Sequence, residues 1–92
     1  MGLNSRVLDI TLDTTLFGKI LGGGKKVIST DVNQYWTRTL YEENGRKRQY
    51  DLVRTRNSST NSQWMDVKFK GIRKRGDKYT ISLGRVLVYT NI

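Results

Sequence analysis

The sequence predicts a small, mainly β (α+β) fold: a closed or nearly closed barrel of five to six strands with two short helices. The first observation is residues 65–72, where apolar and mostly cationic residues alternate, as they do when an extended chain points successive side chains to opposite faces. The second is the basic segment 73–78, which predicts a hairpin turn into another alternating run. The third is the series of short strand-like runs separated by turn residues. One face of the 65–72 strand is predicted to hold Met65, Val67 and Phe69, and the other Asp66, Lys68 and Lys70.

Further strands are predicted wherever β-branched and aromatic residues cluster between turn signals. The run Val7–Leu12 alternates fully and predicts the first strand. The other predicted strands are residues 25–30, 50–56, 79–83 and 86–89. The polar stretch 57–62 is predicted to be a loop.

The first helix is predicted after Thr14-Thr15, which can cap an apolar stripe at helical spacing. Residues 22–24 are three glycines, which predict that this helix ends there. The stripe is formed by Leu16, Phe17, Ile20 and Leu21.

The second helix is predicted to follow Asp31, which stands where a cap is expected. Val32, Trp36 and Leu40 recur at a spacing of four and predict one core-facing side. This spacing favours a core position for Trp36, whereas for Tyr35 packing and stacking on a nucleobase are about equally supported.

Composition points to a polyanionic partner. The 92 residues contain 17 Lys and Arg against 8 Asp and Glu, a formal net charge of +9. The segment 1–24 is formally neutral, so the excess lies downstream and favours a local patch over charge that only keeps the protein soluble. Nucleic acid is the expected partner.

The missing residue types exclude several chemistries. The sequence has no Cys and no His, so it can form no disulfide, no thiolate metal site and no His-based catalytic triad. No group of carboxylates has the spacing of a calcium or magnesium site either, so we predict no metal, and we predict no cofactor. Residues 1–6 lack the apolar run of a signal peptide and no stretch has the length of a membrane span, so a cytoplasmic location, in a cell or a virus-infected cell, is predicted without a membrane partner.

Candidate binding residues follow from the strand faces. Lys68, Lys70 and Arg73 are predicted to contact phosphates, joined by Arg54 and Arg56, which share one face of their strand. Aromatic and amide side chains can read an unpaired base by stacking and hydrogen bonding. The candidates for these contacts are Tyr35, Tyr50 and Asn57.

The chain from about residue 16 to residue 91 also resembles the ASCH domains, which belong to the PUA-like β-barrel superfamily. The resemblance lies in the order and spacing of several short strings. They are Gly24-Lys25-Lys26, Tyr35-Trp36 followed by Arg38 and Leu40, Tyr50-Asp51-Leu52-Val53, Arg56-Asn57, Met65 through Ile72, and Leu83-Gly84-Arg85-Val86-Leu87.

This resemblance implies a PUA-like barrel, a cleft beside the Gly-x-Lys segment, and RNA or a modified nucleoside as ligand. Some bacterial relatives resemble ribonucleases or acetylcytidine amidohydrolases, and Lys25 and Asp31 match the lysine and aspartate of the latter. Three other positions depart from that pattern, because Lys26 replaces a threonine, Ile28 a hydroxyl residue and Thr30 an arginine.

These departures favour binding over catalysis, since a reactive lysine needs a nearby proton acceptor. The resemblance itself implies RNA more than DNA as the bound nucleic acid. Lys25 and Lys26 are then additional candidates for binding the nucleic acid. Two alternatives remain open: a hydrolase that uses Lys25 as its catalytic residue, and a phage or mobile-element factor whose basic face binds an acidic host protein.

Overall fold

The computed structural model describes residues 6–60 and 62–91, which form five strands and two helices along the chain. The predictions for residues 1–5, and the part of the 57–62 loop at Asn61, lie outside the described residues. The elements are β1 (Val7–Leu12), α1 (Thr14–Leu21), β2 (Val27–Asp31), α2 (Gln34–Leu40), β3 (Leu52–Asn57), β4 (Gln63–Arg75) and β5 (Lys78–Asn91).

The five strands form one sheet in the order β1-β3-β4-β5-β2, curved into a half-barrel. β1 and β3 pair in parallel, and every other neighbouring pair is antiparallel. The predicted mainly β class with two short helices is confirmed. The runs at 79–83 and 86–89 belong to the single strand β5, so the count is five.

The core lies on the concave face of this sheet, because every second residue of the strands is buried there. β1 shows this most clearly, with Leu8, Ile10 and Leu12 buried and the residues between them exposed. α1 and α2 cover the same face with Phe17, Ile20 and Leu40. Trp36 packs against this cluster, which confirms its predicted core position.

Both helix caps differ from those expected. Asp13, and not the threonine pair, caps α1, and its carboxylate accepts a hydrogen bond from the Leu16 N–H at 2.8 Å. Asn33 caps α2 in the same way, through Trp36 N–H at 2.9 Å. Asp31 instead ends β2, because the pairing of β2 with β5 continues through this residue.

The β4–β5 hairpin is longer than the sequence indicated. Arg73 and Arg75 are paired within β4, and the turn consists of Gly76 and Asp77 alone. Gly76 has a φ of +60°, the positive value that two-residue hairpin turns favour at their first position. Register shifts between Asp66 and Gly71 bend the strand in its middle.

Neither helix of the described segments is long and apolar enough to cross a membrane.

Candidate nucleic-acid interface

The outer, convex face of β4 carries exposed basic residues, and the three that were predicted to contact phosphates, Lys68, Lys70 and Arg73, are here named the β4 cations; Arg75, next to the turn, shares this face. Arg73 pairs in register with Thr80, and both lie opposite to the buried pair Ile72 and Ile81. Within residues 6–60 and 62–91, the β4 cations make no ion pair. Their charge is therefore available to a ligand.

Gly84 of β5 leaves room for the side chains of two of these cations. A Cβ atom at Gly84 would stand 3.1 Å from the Cβ of Lys68 and 3.4 Å from the Cδ of Lys70. The missing side chain thus leaves space on the outer face, and the two lysine stems lie across it. The aliphatic stems cover the strand backbone while the ammonium groups stay in water.

Arg54 and Arg56 lie on the same outer face, on β3, but each is paired with a carboxylate. Arg54 donates from Nε and Nη2 to both oxygens of Asp66, at 2.8 and 3.0 Å. Arg56 makes the equivalent pair with Asp9, at 3.0 and 3.1 Å. These hydrogen bonds raise the pKa of both guanidinium groups above the ordinary value of arginine.

The Arg54 pair is the better shielded of the two. The Asp66 side chain is only 8% exposed, and the Arg54 guanidinium lies 4.5 Å from the centre of the Trp64 ring. Arg56 and Asp9 are both about half exposed. The structure thus brings all five predicted phosphate contacts to one face but leaves the charge of only the β4 cations uncompensated.

Tyr50 lines a half-open cavity of about 260 Å³ between segment 47–50 and the bent middle of β4, here named the Tyr50 pocket. The Tyr50 hydroxyl donates to the Thr39 carbonyl at 2.6 Å, and its ring meets Phe69 edge to face at 5.7 Å. Burial raises the pKa of Tyr50 above 10.0, while the nearby charges of Arg48 and Arg6 oppose that shift. The other lining residues are Lys47, Arg48, Gln49, Lys70, Gly71 and Ile72.

Tyr35, the second aromatic candidate, lies on α2 and is 64% exposed. Its ring meets the edge of Trp36 at 5.1 Å. The ring is accessible, but it does not line the Tyr50 pocket.

Asn57 does not offer its amide to a ligand, in contrast to the prediction. The side chain is buried, and its Oδ1 accepts from the Thr14 hydroxyl and the Ser59 N–H, both at 3.0 Å. Its Nδ2 donates to Gln63 at 2.8 Å. A buried amide must find partners inside the protein, and here it ties the start of α1 to the end of β3.

Lys25 and Lys26 lie in the turn between α1 and β2, with both side chains exposed. The described contacts there are backbone ones, from Lys25 N–H to the Lys19 carbonyl and from Leu83 N–H to the Lys26 carbonyl. Asp31, the aspartate of the resemblance, pairs with Lys78 at 2.6 Å. Lys78 in turn has its pKa raised by that hydrogen bond.

Two features of this surface were not foreseen. Arg48 was not among the candidate residues, yet it donates through Nε to the Arg38 carbonyl at 3.0 Å and forms one side of the Tyr50 pocket. The pairing of Arg54 with Asp66 was also missed. The strand alternation placed both residues outward, but only the register of β3 against β4 sets them opposite each other.

No protein-family model, no curated protein and no solved structure matches this chain. The ASCH resemblance therefore stays a prediction.

Proposed function

We propose that this protein binds nucleic acid through its phosphate backbone, RNA in preference to DNA, with the β4 cations as the main contacts. The observation that carries the proposal is three exposed cations on one face of one strand, with no carboxylate paired to them among the described residues. Phosphate contacts of this kind supply most of the sequence-independent affinity for nucleic acids.

The surroundings of the β4 cations support a binding role over simple solubility. Their outward neighbours on β5 and β2 are uncharged or lack a side chain: Gly84, Thr80 and Ser29. On β3, by contrast, both outward basic residues are matched with acids, Arg54 with Asp66 and Arg56 with Asp9. Charge that only keeps a protein soluble is typically interspersed with charge of the opposite sign, whereas the β4 cations have no acidic residue paired to them among the described residues.

The spacing of the β4 cations along the strand also supports phosphate binding. Lys68, Lys70 and Arg73 follow one another along β4, and a strand rises by about 3.3 Å per residue, so each long side chain can reach a different phosphate of one strand of nucleic acid. The preference for RNA over DNA rests on the ASCH resemblance alone, and a cytoplasmic location is proposed together with it.

A hydrolase that uses Lys25 is not proposed. Lys25 is exposed in a turn, and the aspartate expected beside it is engaged with Lys78. A general base must lie within hydrogen-bond reach of the proton that it takes, and the described contacts give Lys25 no such partner.

The test is a fluorescence-anisotropy titration of labelled 12-nucleotide RNA and DNA of the same sequence. We expect micromolar or tighter binding of RNA, weakened at least tenfold in the double variant Lys68→Ala/Lys70→Ala. Lys19→Ala/Arg46→Ala removes the same charge at two exposed positions outside the β4 cations and the lining of the Tyr50 pocket, and should weaken binding less. Equal losses in the two variants would contradict the proposal. So would tight binding of an acidic protein with no binding of RNA, which would favour a protein partner.

A further inference from the structure

We infer that the nucleic acid bound on the β4 cations is single-stranded and that one of its bases enters the Tyr50 pocket. This inference rests on the proposed function and names its substrate class.

The size and walls of the Tyr50 pocket fit a flat ring. The cavity of about 260 Å³ is half open to solvent, with Tyr50, Phe69 and Ile72 among its lining residues. Gly71 adds no side chain, and a Cβ built there would meet nothing within 4 Å. A planar heterocycle can therefore enter between segment 47–50 and β4 without displacing a side chain at that position.

Tyr50 is held in place before any ligand arrives. Its hydroxyl donates a hydrogen bond to the Thr39 carbonyl at 2.6 Å, and its ring packs edge to face against Phe69. A stacking surface that is already ordered loses little conformational entropy on binding. Stacking on an aromatic ring is also tolerant of base identity, because every base has a π-face.

Positively charged side chains line both sides of the Tyr50 pocket. Lys70 is both one of the β4 cations and a lining residue, while Lys47 and Arg48 lie on the opposite side. A strand that runs along β4 can thus place one phosphate at Lys70 and the next near Arg48, with the base between them directed at Tyr50. Gln49 offers an amide that can hydrogen-bond the edge of that base.

A duplex cannot use this arrangement. Its bases are stacked on one another inside the helix, and only a splayed-out base can reach an aromatic side chain. The pocket therefore distinguishes single strands from duplexes although the β4 cations alone do not.

The inference is tested with an RNA 8-mer, the same 8-mer with all bases replaced by abasic residues, and the matching duplex. The two single strands carry the same phosphates, so their difference isolates the bases. We expect the abasic strand and the duplex to bind about 5- to 150-fold more weakly, the range that stacking of one base on an aromatic ring produces.

Two variants test whether the difference in affinity between the normal and the abasic strand arises at the Tyr50 pocket. Tyr50→Phe keeps the ring and should retain the discrimination between normal and abasic strands. Tyr50→Leu should bind both strands as weakly as the unaltered protein binds the abasic one. Because Tyr50→Leu can lose stability, quenching of a single 2-aminopurine in the 8-mer by the unaltered protein provides a readout that needs no variant.

Equal affinity for normal and abasic strands, with binding still lost in Lys68→Ala/Lys70→Ala, would overturn the inference and leave the proposed function standing. Duplex binding as tight as single-strand binding would also overturn it. Failure of every oligonucleotide to bind would contradict both.

Discussion

Loss of the ion pair between Arg54 and Asp66 is expected to lower the stability of the fold but to strengthen RNA binding. Replacement of Asp66 by Asn keeps one acceptor for Arg54 but removes the carboxylate charge and one of the two charge-assisted hydrogen bonds. Such a bond contributes roughly 1.5–3 kcal/mol. The Arg54 side chain is 34% exposed, so water recovers part of that energy, and a loss of about 1–2 kcal/mol is expected.

For a domain of this length that loss corresponds to a fall in melting temperature of roughly 4–16 °C. RNA binding should nevertheless become stronger, because Arg54 then lies beside Lys68 on the outer face without its carboxylate. One further phosphate contact steepens the dependence of log K on log salt by about 0.7 for a single strand.

Asp9→Asn is the matched control for Asp66→Asn. It makes the same change of charge and releases Arg56, but both partners of that pair are about half exposed. Its melting temperature should therefore move little. Thermal denaturation followed by circular dichroism measures both variants. A melting temperature for Asp66→Asn within about 1 °C of the unaltered protein would refute the reasoning, because a shielded bidentate pair cannot be removed at no cost.

Three further predictions concern the interior. Thr30 has a buried hydroxyl with no hydrogen-bond partner among the described residues. Thr30→Val should therefore raise the free energy of unfolding, measured by urea denaturation, by about 1 kcal/mol. A lower free energy of unfolding in this variant would show that the hydroxyl is hydrogen-bonded. Asn57→Ala should lower that free energy by about 1–3 kcal/mol without changing the affinity for RNA; weaker RNA binding by a folded variant would return Asn57 to the interface. The raised pKa of Tyr50 means that the folded state holds the hydroxyl proton more tightly than the unfolded state does. The contribution of this proton to the free energy of unfolding is complete below pH 10 and is lost as the pH rises through the folded pKa. Tyr50→Phe should therefore lose less stability than the unaltered protein between pH 9.5 and about 11, and equal losses would contradict the assigned burial.

The sequence predicted those elements whose signal is local. The alternation of Val7–Leu12 defined β1 to the residue, and the apolar stripe of α1 defined its buried face. Met65, Val67 and Phe69 do share the inner side of β4. In each case the period of apolar residues reports burial directly, so no knowledge of the neighbouring strands was needed.

The parts that the sequence could not predict depend on contacts between distant segments. The parallel pairing of β1 with β3 joins residues 45 apart, and nothing local in either strand specifies it. Asp66 lies on the outer face as predicted, yet it is buried, with both carboxylate oxygens hydrogen-bonded to Arg54. The Tyr50 pocket likewise depends on a polar segment that folds back against α2 through backbone carbonyls.

The central claim is that the β4 cations contact phosphates directly, and the salt dependence of RNA binding tests it most directly. The slope of log K against log salt should be less steep by about 0.7 for each of Lys68→Ala, Lys70→Ala and Arg73→Ala, and unchanged in Lys19→Ala. Slopes that stay the same in all three β4 variants would contradict the account.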